Sequence, residues 1–284
     1  MIIPRTSTAD TASIAAHYDD LDPFYRAVWG SHVHHGYWAT GNESADQAVL
    51  NLTKLVAMHA GIRKGTRVCD VGCGYGASAW LFNQQYGAKV TGITISKKQY
   101  DFAAALCHGV ADLNFLLCDA LHSHLPTKSF DSVVAIESME HISDRLCFFA
   151  EVHRLLDHDG RFVITAWVAP EEPAAWKVKY LLEPICFEGR LPSLPSASEY
   201  RTMLTEAGFT DVTSFDLTRR VSRTWSVCVL RFLTRICPDS SLRRQLFDSN
   251  FSNRVFLRTV FRIWLAYKTG SMRYGLFSAR KPAQ

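Results

Sequence analysis

A glycine-rich segment, D-V-G-C-G-Y-G at residues 70–76, has the residue types and spacing best suited to binding chemistry in this chain of 284 residues. A short apolar run at 68–71 overlaps its start, a helical pattern follows at 79–82, and a second apolar run spans 88–95. Strand, glycine turn, helix and strand form the first half of a nucleotide-binding βαβ unit. Glycines at such a turn let the backbone pass very close to a ligand.

The spacing of these glycines and the charge before them distinguish between two cofactors. Gly72, Gly74 and Gly76 do not follow the G-x-G-x-x-G pattern of a dinucleotide site. Asp70 stands two residues before the first glycine, where its carboxylate would repel a pyrophosphate but accept hydrogen bonds from an ammonium group. The segment therefore favours S-adenosylmethionine (SAM), whose methionine end carries an ammonium and a sulfonium. A glycine-rich turn without a ligand is the alternative.

Six segments together resemble one branch of the class I SAM-dependent methyltransferases. The glycine segment is similar to their motif I, and the wider chain resembles the branch of γ-tocopherol methyltransferases, sterol methyltransferases and small-molecule methyltransferases of natural-product pathways. The six segments are G-S-H-V-H-H-G-Y-W (30–38), D-V-G-C-G-Y-G-A-S (70–78), Y-G-A-K-V-T-G-I-T-I-S-K-K-Q (86–99), E-S-M-E-H-I-S-D (137–144), L-P-S-A-S-E-Y (194–200) and M-R-Y-G-L-F-S-A-R-K-P (272–282).

The resemblance implies an α/β fold with a Rossmann-like, seven-stranded sheet in the order 3-2-1-4-5-7-6, in which strand 7 is antiparallel. It divides the chain into an N-terminal helical lid segment (1–60), a SAM-binding core (61–168) and a part that holds acceptor-binding cap insertions with the last two strands (169–284). The apolar patterns predict strands at 67–72, 89–95, 113–117, 131–136, 162–167, 210–216 and 273–280.

Helices are predicted between these strands from the same patterns. The first runs from Ile14 to about residue 21, and Pro23 is predicted to open a further turn. Others cover 44–62 and 96–108, and one capped at Ser143 or Asp144 is predicted to stop at Gly160. Two more cover 175–186 and 196–208, the second capped at its first serines.

The resemblance also implies which residues contact SAM. Many methyltransferases carry an acidic residue at the end of the second strand to hold both ribose hydroxyls, whereas Thr94 stands here. In the resembled branch a glutamine shares this contact, and Gln99 matches it. An aspartate after the third strand, Asp119, could accept a hydrogen bond from the adenine amine, although a helix cap is an equally common role. The predicted cofactor-binding residues are Tyr18, Asp70, Gly72, Gly74, Thr94, Ile95, Gln99, Asp119, Ala120 and Glu137.

The segment E-S-M-E-H (137–141) follows the fourth predicted strand, at the edge of the sheet where an acceptor should meet the methyl group. His141 is the best candidate for a base, because its unperturbed pKa lies near neutrality. Related sugar O-methyltransferases pair such a histidine with an aspartate where this chain has Ala166, which disfavours sugar O-methylation. Glu140 would suit a developing cation in C- or N-methylation.

The histidine- and aromatic-rich segment 29–38 forms part of a lid in the resembled families, although a packed hairpin is the alternative. His35 is a third catalytic candidate within it. A metal at His34 and His35 is disfavoured, because no third ligand with suitable spacing is evident. The predicted substrate-binding residues are Tyr37, Trp38, Trp167 and Glu183, and Glu183 or Glu188 could remove a proton after the transfer.

Composition restricts the classes of partner. A net charge of +4 does not by itself indicate nucleic acid, and no apolar stretch reaches the length of a membrane span. Eight cysteines without a C-x-x-C pair, and a start without a signal peptide, indicate a reduced, cytoplasmic compartment. A peripheral membrane contact and a homo-oligomer both remain open.

A long insertion at 220–268 alternates aromatic residues with arginines. Such helical stripes usually belong to helices that pack on their own domain. The alternatives are a cap over an apolar acceptor, and a basic surface for a membrane or a diphosphate-bearing substrate.

The sequence therefore predicts a SAM-dependent methyltransferase that acts on a small, largely apolar acceptor, with C- or N-methylation first and O-methylation second. Two other classes of function fit the sequence less well. One is a catalytically idle homologue that binds SAM as a scaffold, which the pairing of motif I with E-S-M-E-H disfavours. The other is an NAD(P)-linked oxidoreductase, which the glycine spacing and Thr94 disfavour.

Overall fold

A mixed sheet of seven strands organises the protein in the computed structural model, which describes residues 10–247 and 256–283. The strands lie in the order β3-β2-β1-β4-β5-β7-β6, as predicted. β1 to β5 run parallel, and β7 is antiparallel to both β5 and β6. The strands are β1 Arg67–Val71, β2 Lys89–Thr94, β3 Leu113–Leu117, β4 Phe130–Ile136, β5 Leu156–Val168, β6 Thr210–Asp216 and β7 Arg273–Arg280.

Helices cover both faces of this sheet and add a cap at one end. Phe251 and Arg254 of the predicted insertion lie outside the described residues. The helices are α1 Thr11–Val28, α2 Ala45–Ala60, α3 Ala77–Tyr86, α4 Lys97–Cys107, α5 Arg145–Leu155, α6 Ala175–Lys177, α7 Glu183–Glu188, α8 Ala197–Glu206, α9 Thr218–Val221, α10 Arg223–Arg231, α11 Ser240–Phe247 and α12 Phe256–Lys268. Single π-helical turns join α6 to α7 (Val178–Leu182) and follow α10 (Phe232–Ile236).

Local sequence signals explain several helix ends. Ser44 caps α2 in a capping box with Gln47, and Gly61 ends the same helix in the left-handed conformation. Ser196 caps α8 in a second capping box with Glu199. These predicted boundaries therefore agree with the structure.

Pro23 does not open a new turn, so that prediction is wrong: it lies inside the continuous helix α1. A proline inside a helix removes one N–H group and leaves the carbonyl four residues earlier without its helical donor. That carbonyl belongs to Asp19, and the Lys98 ammonium donates a hydrogen bond to it at 2.7 Å. A contact with α4 thus replaces the missing helical bond.

Gly160 does not stop α5, so this prediction is also wrong. The helix ends at Leu155, and Gly160 lies within β5. The carbonyls of Arg154 and Leu155 accept hydrogen bonds from the backbone amides of Lys128 and Ser129, both at 3.0 Å. The turn before β4 therefore ends the helix, and sequence periodicity cannot show a partner that lies so far away along the chain.

The predicted helix at 175–186 is present, but a π-helical turn interrupts it. The Glu183 amide bonds the carbonyl of Val178, five residues earlier, and Pro184 follows directly. A proline cannot donate the hydrogen bond that a regular helix requires at that position, and a local π-turn accommodates it.

The helices of the insertion pack on the domain that contains them. Arg231 donates a hydrogen bond to the Val28 carbonyl at 2.9 Å, and Arg235 donates to the Ala27 carbonyl at 3.0 Å. The largest apolar core contains residues from all three predicted parts, among them Leu21, Val134 and Ile263. The division into lid, core and cap remains a prediction.

The eight cysteines are all free thiols. Within residues 10–247 and 256–283, no helix combines the length and apolarity needed to cross a bilayer.

Candidate active site

The first of two adjoining cavities lies at the carboxyl ends of β1 to β4, where the order of the sheet reverses between β1 and β4. This is the position at which open α/β sheets bind ligands. The cavity is lined by nine predicted cofactor-binding residues and by further residues that were not predicted. The predicted ones are Tyr18, Gly72, Gly74, Thr94, Ile95, Gln99, Asp119, Ala120 and Glu137, and the additional ones include Thr11, Ile14, Val33 and Ser138.

Asp70 ends β1 beside this cavity and lines a small neighbouring pocket with His32, His34 and Gly74. Its side chain is buried, and its Oδ2 atom has no hydrogen-bond partner among the described residues. Burial raises the pKa of this carboxyl to about 7. A buried carboxylate without a partner is costly, so the position suits a ligand with an ammonium group. This fits the methionine end of SAM.

Gly72 makes the turn after β1 possible. Its φ of +72° lies in the left-handed region, and a Cβ atom added there would stand 2.3 Å from the Ser138 Cβ. Ser138 is itself fixed, because its hydroxyl donates a hydrogen bond to the Val71 carbonyl at 2.7 Å. The turn after β1 and the turn after β4 therefore meet at a point where only glycine fits.

The predicted ribose contacts lie together at the end of β2. The Thr94 hydroxyl donates to Gln99 Oε1 at 2.9 Å, and Gln99 is buried. This bond holds the amide oxygen inward and leaves the amide nitrogen as a donor. The pair supplies polar groups at the position where many methyltransferases carry an acidic residue that accepts hydrogen bonds from the ribose hydroxyls.

Asp119 has the helix-cap role that the sequence offers beside the adenine contact, and also a contact with α1 that the sequence does not predict. Its Oδ1 atom caps a short 3-10 turn by accepting from the Leu121 amide at 2.9 Å. Its Oδ2 atom accepts from the hydroxyl of Thr11 at 2.9 Å. Since Thr11 is the first residue of α1, this bond places the start of that helix over the cofactor cavity.

A second cavity adjoins the first, and both are lined by Tyr18, Val33, Glu137 and His141. Its walls are mostly aromatic and aliphatic, with three carboxyl groups and three imidazoles. The remaining lining residues are His17, Tyr25, Trp29, His35, Glu140, Trp167, Ile185, Glu188, Gly189, Leu191, Trp225, Thr259, Val260 and Ile263. A cavity of this kind suits an apolar acceptor next to the methyl donor.

Glu137 holds one wall of this cavity together. It has a φ of +51°, and its carboxylate accepts hydrogen bonds from the His35 amide at 2.6 Å, His35 Nδ1 at 2.8 Å, the Tyr274 hydroxyl at 2.8 Å and Trp167 Nε1 at 3.3 Å. Burial by itself raises the pKa of Glu137, but its interaction and hydrogen bonds with His35 outweigh burial, and the pKa is lowered. The Glu137 carboxylate therefore holds the residues of this cavity wall in place.

His35 has both ring nitrogens in use. Trp225 Nε1 donates to His35 Nε2 at 2.8 Å, and an indole N–H can only donate. The Nε2 atom is therefore an acceptor, and the proton on Nδ1 points to Glu137. A ring fixed in this way orients the aromatic wall, and it has no free nitrogen to act as a base. The prediction of His35 as a catalytic residue is corrected to a positioning residue.

Replacing Glu137 by leucine should lower the stability of the protein. The change leaves the Nδ1 proton of His35 and the Tyr274 hydroxyl buried without an acceptor, which costs about 3–5 kcal/mol in comparable buried pairs. We expect a lower unfolding midpoint in urea, with a smaller loss for Glu137→Gln, which keeps one oxygen acceptor. An unchanged midpoint for Glu137→Leu would show that the network does not hold the wall.

Glu140 and Glu137 lie in the same segment but differ in their protonation. Glu140 is buried, its Oε1 atom accepts from the Trp167 amide at 2.7 Å, and its Oε2 atom has no partner among the described residues. Burial, and then the charge of Glu137, raises the pKa of Glu140 to about 8. Two carboxyl groups whose pKa values are moved apart in this way are typical of catalytic sites.

His141 lies where the two cavities meet, and its Nε2 atom is 2.8 Å from the Tyr18 hydroxyl. Burial, and then the charge of His17, lowers the pKa of His141 to about 3. The imidazole is therefore uncharged near neutral pH and is a weak proton acceptor. The role of His141 as a base stays a prediction, and its low basicity favours Glu140 as the group that takes a proton.

Three predicted substrate-binding residues do not line either cavity, so those predictions are corrected. Trp38 is buried away from both and donates to the Glu43 carbonyl at 3.0 Å, and Tyr37 bonds the Ala48 carbonyl through its backbone amide at 2.7 Å. Glu183 lies on the helix that also carries Glu188, but only Glu188 reaches the cavity. The two residues are five positions apart, which is about 140° beyond a full turn of a regular helix, so they point in different directions.

Several lining residues were missed because they lie far apart in the sequence. Tyr25 and Trp29 follow Tyr18 on one face of α1, so the helical spacing of aromatic residues could have identified them. Trp225 comes from the insertion and contacts both Trp29 and Trp167, with ring centroids 5.6 and 5.8 Å apart. No spacing rule predicts that contact.

A family model described as mycolic acid cyclopropane synthetase matches residues 5–233. The chain belongs to this family. One similar protein is the probable tocopherol O-methyltransferase of rice, 28% identical over 95% of this chain and 78% of the relative. A second is the 27-O-demethylrifamycin SV methyltransferase of Amycolatopsis mediterranei, 29% identical over 93% of this chain and 95% of the relative.

A solved structure extends the similarity to the fold. The mycolic acid cyclopropane synthase CmaA1, crystallised with S-adenosylhomocysteine and CTAB, superposes with a TM-score of 0.85 at 21% identity, over 96% of this chain and 99% of that one. The present chain, a member of the cyclopropane synthetase family, is a SAM-dependent methyltransferase. The unpartnered Asp70 carboxyl beside the cavity suits the ammonium group of that cofactor. The family prediction made from the sequence is confirmed.

Proposed function

We propose that this enzyme transfers a methyl group to a carbon or nitrogen atom of a small, largely apolar acceptor, of the isoprenoid, aromatic or alkaloid-like class, in secondary metabolism. One observation carries the proposal. A buried carboxyl group, Glu140, has an oxygen without a partner among the described residues, in a cavity walled by tyrosine and tryptophan rings. An uncharged acceptor tolerates the protonated acid. When the acid has released its proton to the solvent, the carboxylate would stabilise a cation that develops on the acceptor.

The chain's own residues contribute positioning, exclusion of water and charge. SAM supplies an electrophilic methyl group, so the first requirement is that the acceptor lies close to it and in line. Tyr25, Trp29, Trp167 and Trp225 enclose the acceptor cavity and present ring faces that attract a cation. Glu140 then provides a carboxylate in a site of low polarity, where a charge interaction is strong, and it can take the proton that a C-methylated carbon releases.

O-methylation is the second candidate, because five of the similar proteins have O-methyltransferase in their names, among them the tocopherol O-methyltransferases of rice and Arabidopsis thaliana. A hydroxyl acceptor must lose a proton, and a base works best when its pKa lies near the working pH. His141 was predicted as that base, and Glu140, with a pKa of about 8, is the better matched group. The two candidates therefore differ in the atom that receives the methyl group.

Product analysis distinguishes them. The purified enzyme is incubated with SAM that carries a ¹³C-labelled methyl group and with a panel of prenylated hydroquinones, isoprenoids and tertiary or secondary amines. The ¹³C chemical shift of the product methyl group separates methyl on carbon, on nitrogen and on oxygen. A C- or N-methyl product supports the proposal, whereas methoxy products alone would replace it by the second candidate.

His141→Phe should affect turnover much less than a lost base would. Phenylalanine keeps a ring against Tyr18, which the histidine contacts with ring centroids 5.3 Å apart. We expect kcat to fall less than about tenfold, with an unchanged SAM affinity, whereas removing a general base costs about 10²–10⁴-fold. A loss in that larger range, confined to kcat, would identify His141 as the base and favour O-methylation.

A further inference from the structure

The outer side of the cap exposes an unusual share of the large apolar side chains. Of the eleven that are exposed among the described residues, seven lie on α6, α7, α10, α12 and the two π-turns. We call these seven residues the outer apolar face. They are Trp176, Tyr180, Phe187, Leu230, Leu233, Phe261 and Leu265.

The cap helices α7, α10 and α12 each bury one side and expose the other. On α12, Val260, Ile263 and Tyr267 are buried at helical spacing, while Phe261 and Leu265 are exposed one turn apart. Trp176 and Tyr180 are four residues apart, and Phe187 lies on α7, which follows them directly after the π-turn. Since α12 packs against both α7 and α10, the exposed rows lie on helices that are neighbours.

Basic side chains surround these rows. Arg258, Phe261, Leu265 and Lys268 follow one another at three- and four-residue spacing on α12, so a basic residue stands at each end of the apolar row, and all four are exposed. Residues 218–268 contain eleven basic and two acidic residues, a net charge of +9, whereas the whole chain carries +4. The rest of the chain is therefore negative, at −5.

We propose that the outer apolar face docks on the surface of an anionic phospholipid bilayer. Tryptophan and tyrosine with lysine beside them are typical of membrane interfaces, where the ring enters the headgroup region and the ammonium reaches the phosphates. Here Lys177 lies over the Trp176 ring at 5.7 Å and Lys179 over the Tyr180 ring at 5.3 Å. The positive charge of the cap complements anionic lipid, and the same charge opposes pairing with a second copy of this face.

The location of this face relates it to the active site. Ile185, Val260 and Ile263 line the acceptor cavity from the inner side of the helices that carry the outer apolar face. A bilayer on the outer side would bring dissolved apolar molecules to the cap. The docking surface itself does not depend on which atom is methylated, so a failure of the docking test leaves the proposed function intact.

Vesicle sedimentation tests the proposal with the full-length protein. Vesicles of phosphatidylcholine alone are compared with vesicles of three parts phosphatidylcholine to one part phosphatidylglycerol, at low and at high salt. We expect binding to the anionic vesicles, reduced by salt. Arg258→Ser with Lys268→Ser, and separately Trp176→Ala with Tyr180→Ala, should each weaken it by about tenfold or more.

The matched control is Met58→Ala with Leu146→Ala, which removes exposed apolar side chains of similar exposure from α2 and α5. It should leave vesicle binding unchanged, and SAM affinity should be unchanged in all variants. The proposal is overturned if the wild-type protein does not bind anionic vesicles, or if the face variants bind as the control does. It is equally overturned if the face variants change a dimer to a monomer in light scattering while vesicle binding persists.

Discussion

Glu140→Gln should lower kcat on the order of 100-fold or more, with little change in SAM affinity. Glutamine keeps the size of the side chain and the bond from the Trp167 amide, but it cannot ionise. The carboxylate is needed only once positive charge develops on the acceptor, so its loss affects the transition state much more than the bound acceptor. The measurement is kcat and KM with the acceptor found in the isotope-labelled panel.

Glu188→Gln is the matched control, because Glu188 also lines the acceptor cavity. Its Oε2 atom accepts from the Thr259 hydroxyl at 2.8 Å, and its other oxygen pairs with Arg262. A carboxylate that is already paired has little left for a cation, so we expect a change within about tenfold. If both variants lose the same activity, or if Glu140→Gln changes KM alone, then Glu140 does not act in the transition state.

Asp70→Asn should weaken SAM binding about 100-fold or more without unfolding the protein. Asparagine has nearly the same shape, but it cannot pair with the ammonium group of SAM, and buried hydrogen bonds between charged groups are the strong ones. Asp119→Asn is the control, because Asp119 accepts from the hydroxyl of Thr11 and its predicted contact with the cofactor is the uncharged adenine amine. Calorimetry should give full-strength binding for wild type, a change below about tenfold for the control and near loss for Asp70→Asn.

The pH dependence of the same titration follows from the raised pKa of Asp70. The free protein holds this carboxyl protonated below about pH 7, and SAM needs it ionised, so wild-type SAM affinity should fall as pH falls below 7. The stability of the folded protein should depend on pH in the opposite direction to the SAM affinity. The folded state binds the proton more tightly than the unfolded chain, so stability without ligand should decrease as pH rises from about 4 to about 7, and Asp70→Asn should reduce that slope. An affinity independent of pH would contradict the assignment.

The core of the fold could be predicted because its signals are local. The glycine turn after β1, the apolar runs of the strands and the capping boxes at Ser44 and Ser196 each act within a few residues. The boundaries of β3, β6 and β7 agree with the predicted ones. The predicted cofactor residues could be placed together for a similar reason, because parallel strands bring their carboxyl ends to one edge of the sheet.

The acceptor cavity could be predicted only in part, because its walls come from segments that meet through the tertiary fold. Glu140 and His141 follow β4 and were therefore found, but the contact of Trp225 with His35 joins residues 190 positions apart. Neither this bond nor the four donors around Glu137 has a sequence signature. The histidines of segment 29–38 consequently suggested chemistry where the structure has a fixed, hydrogen-bonded wall.

The most direct test of the central claim, that Glu140 ionises against a cation in an apolar cavity, needs no knowledge of the acceptor. The affinity of an alkyltrimethylammonium ion is compared with that of its uncharged tert-butyl isostere, in the presence of S-adenosylhomocysteine, by calorimetry at pH 7 in two buffers of different ionisation enthalpy. We expect the cation to bind at least about tenfold more tightly and to release a proton, because Glu140 starts protonated with a pKa of about 8. Both effects should disappear in Glu140→Gln. Equal affinities for the two compounds, without proton release, would contradict the claim.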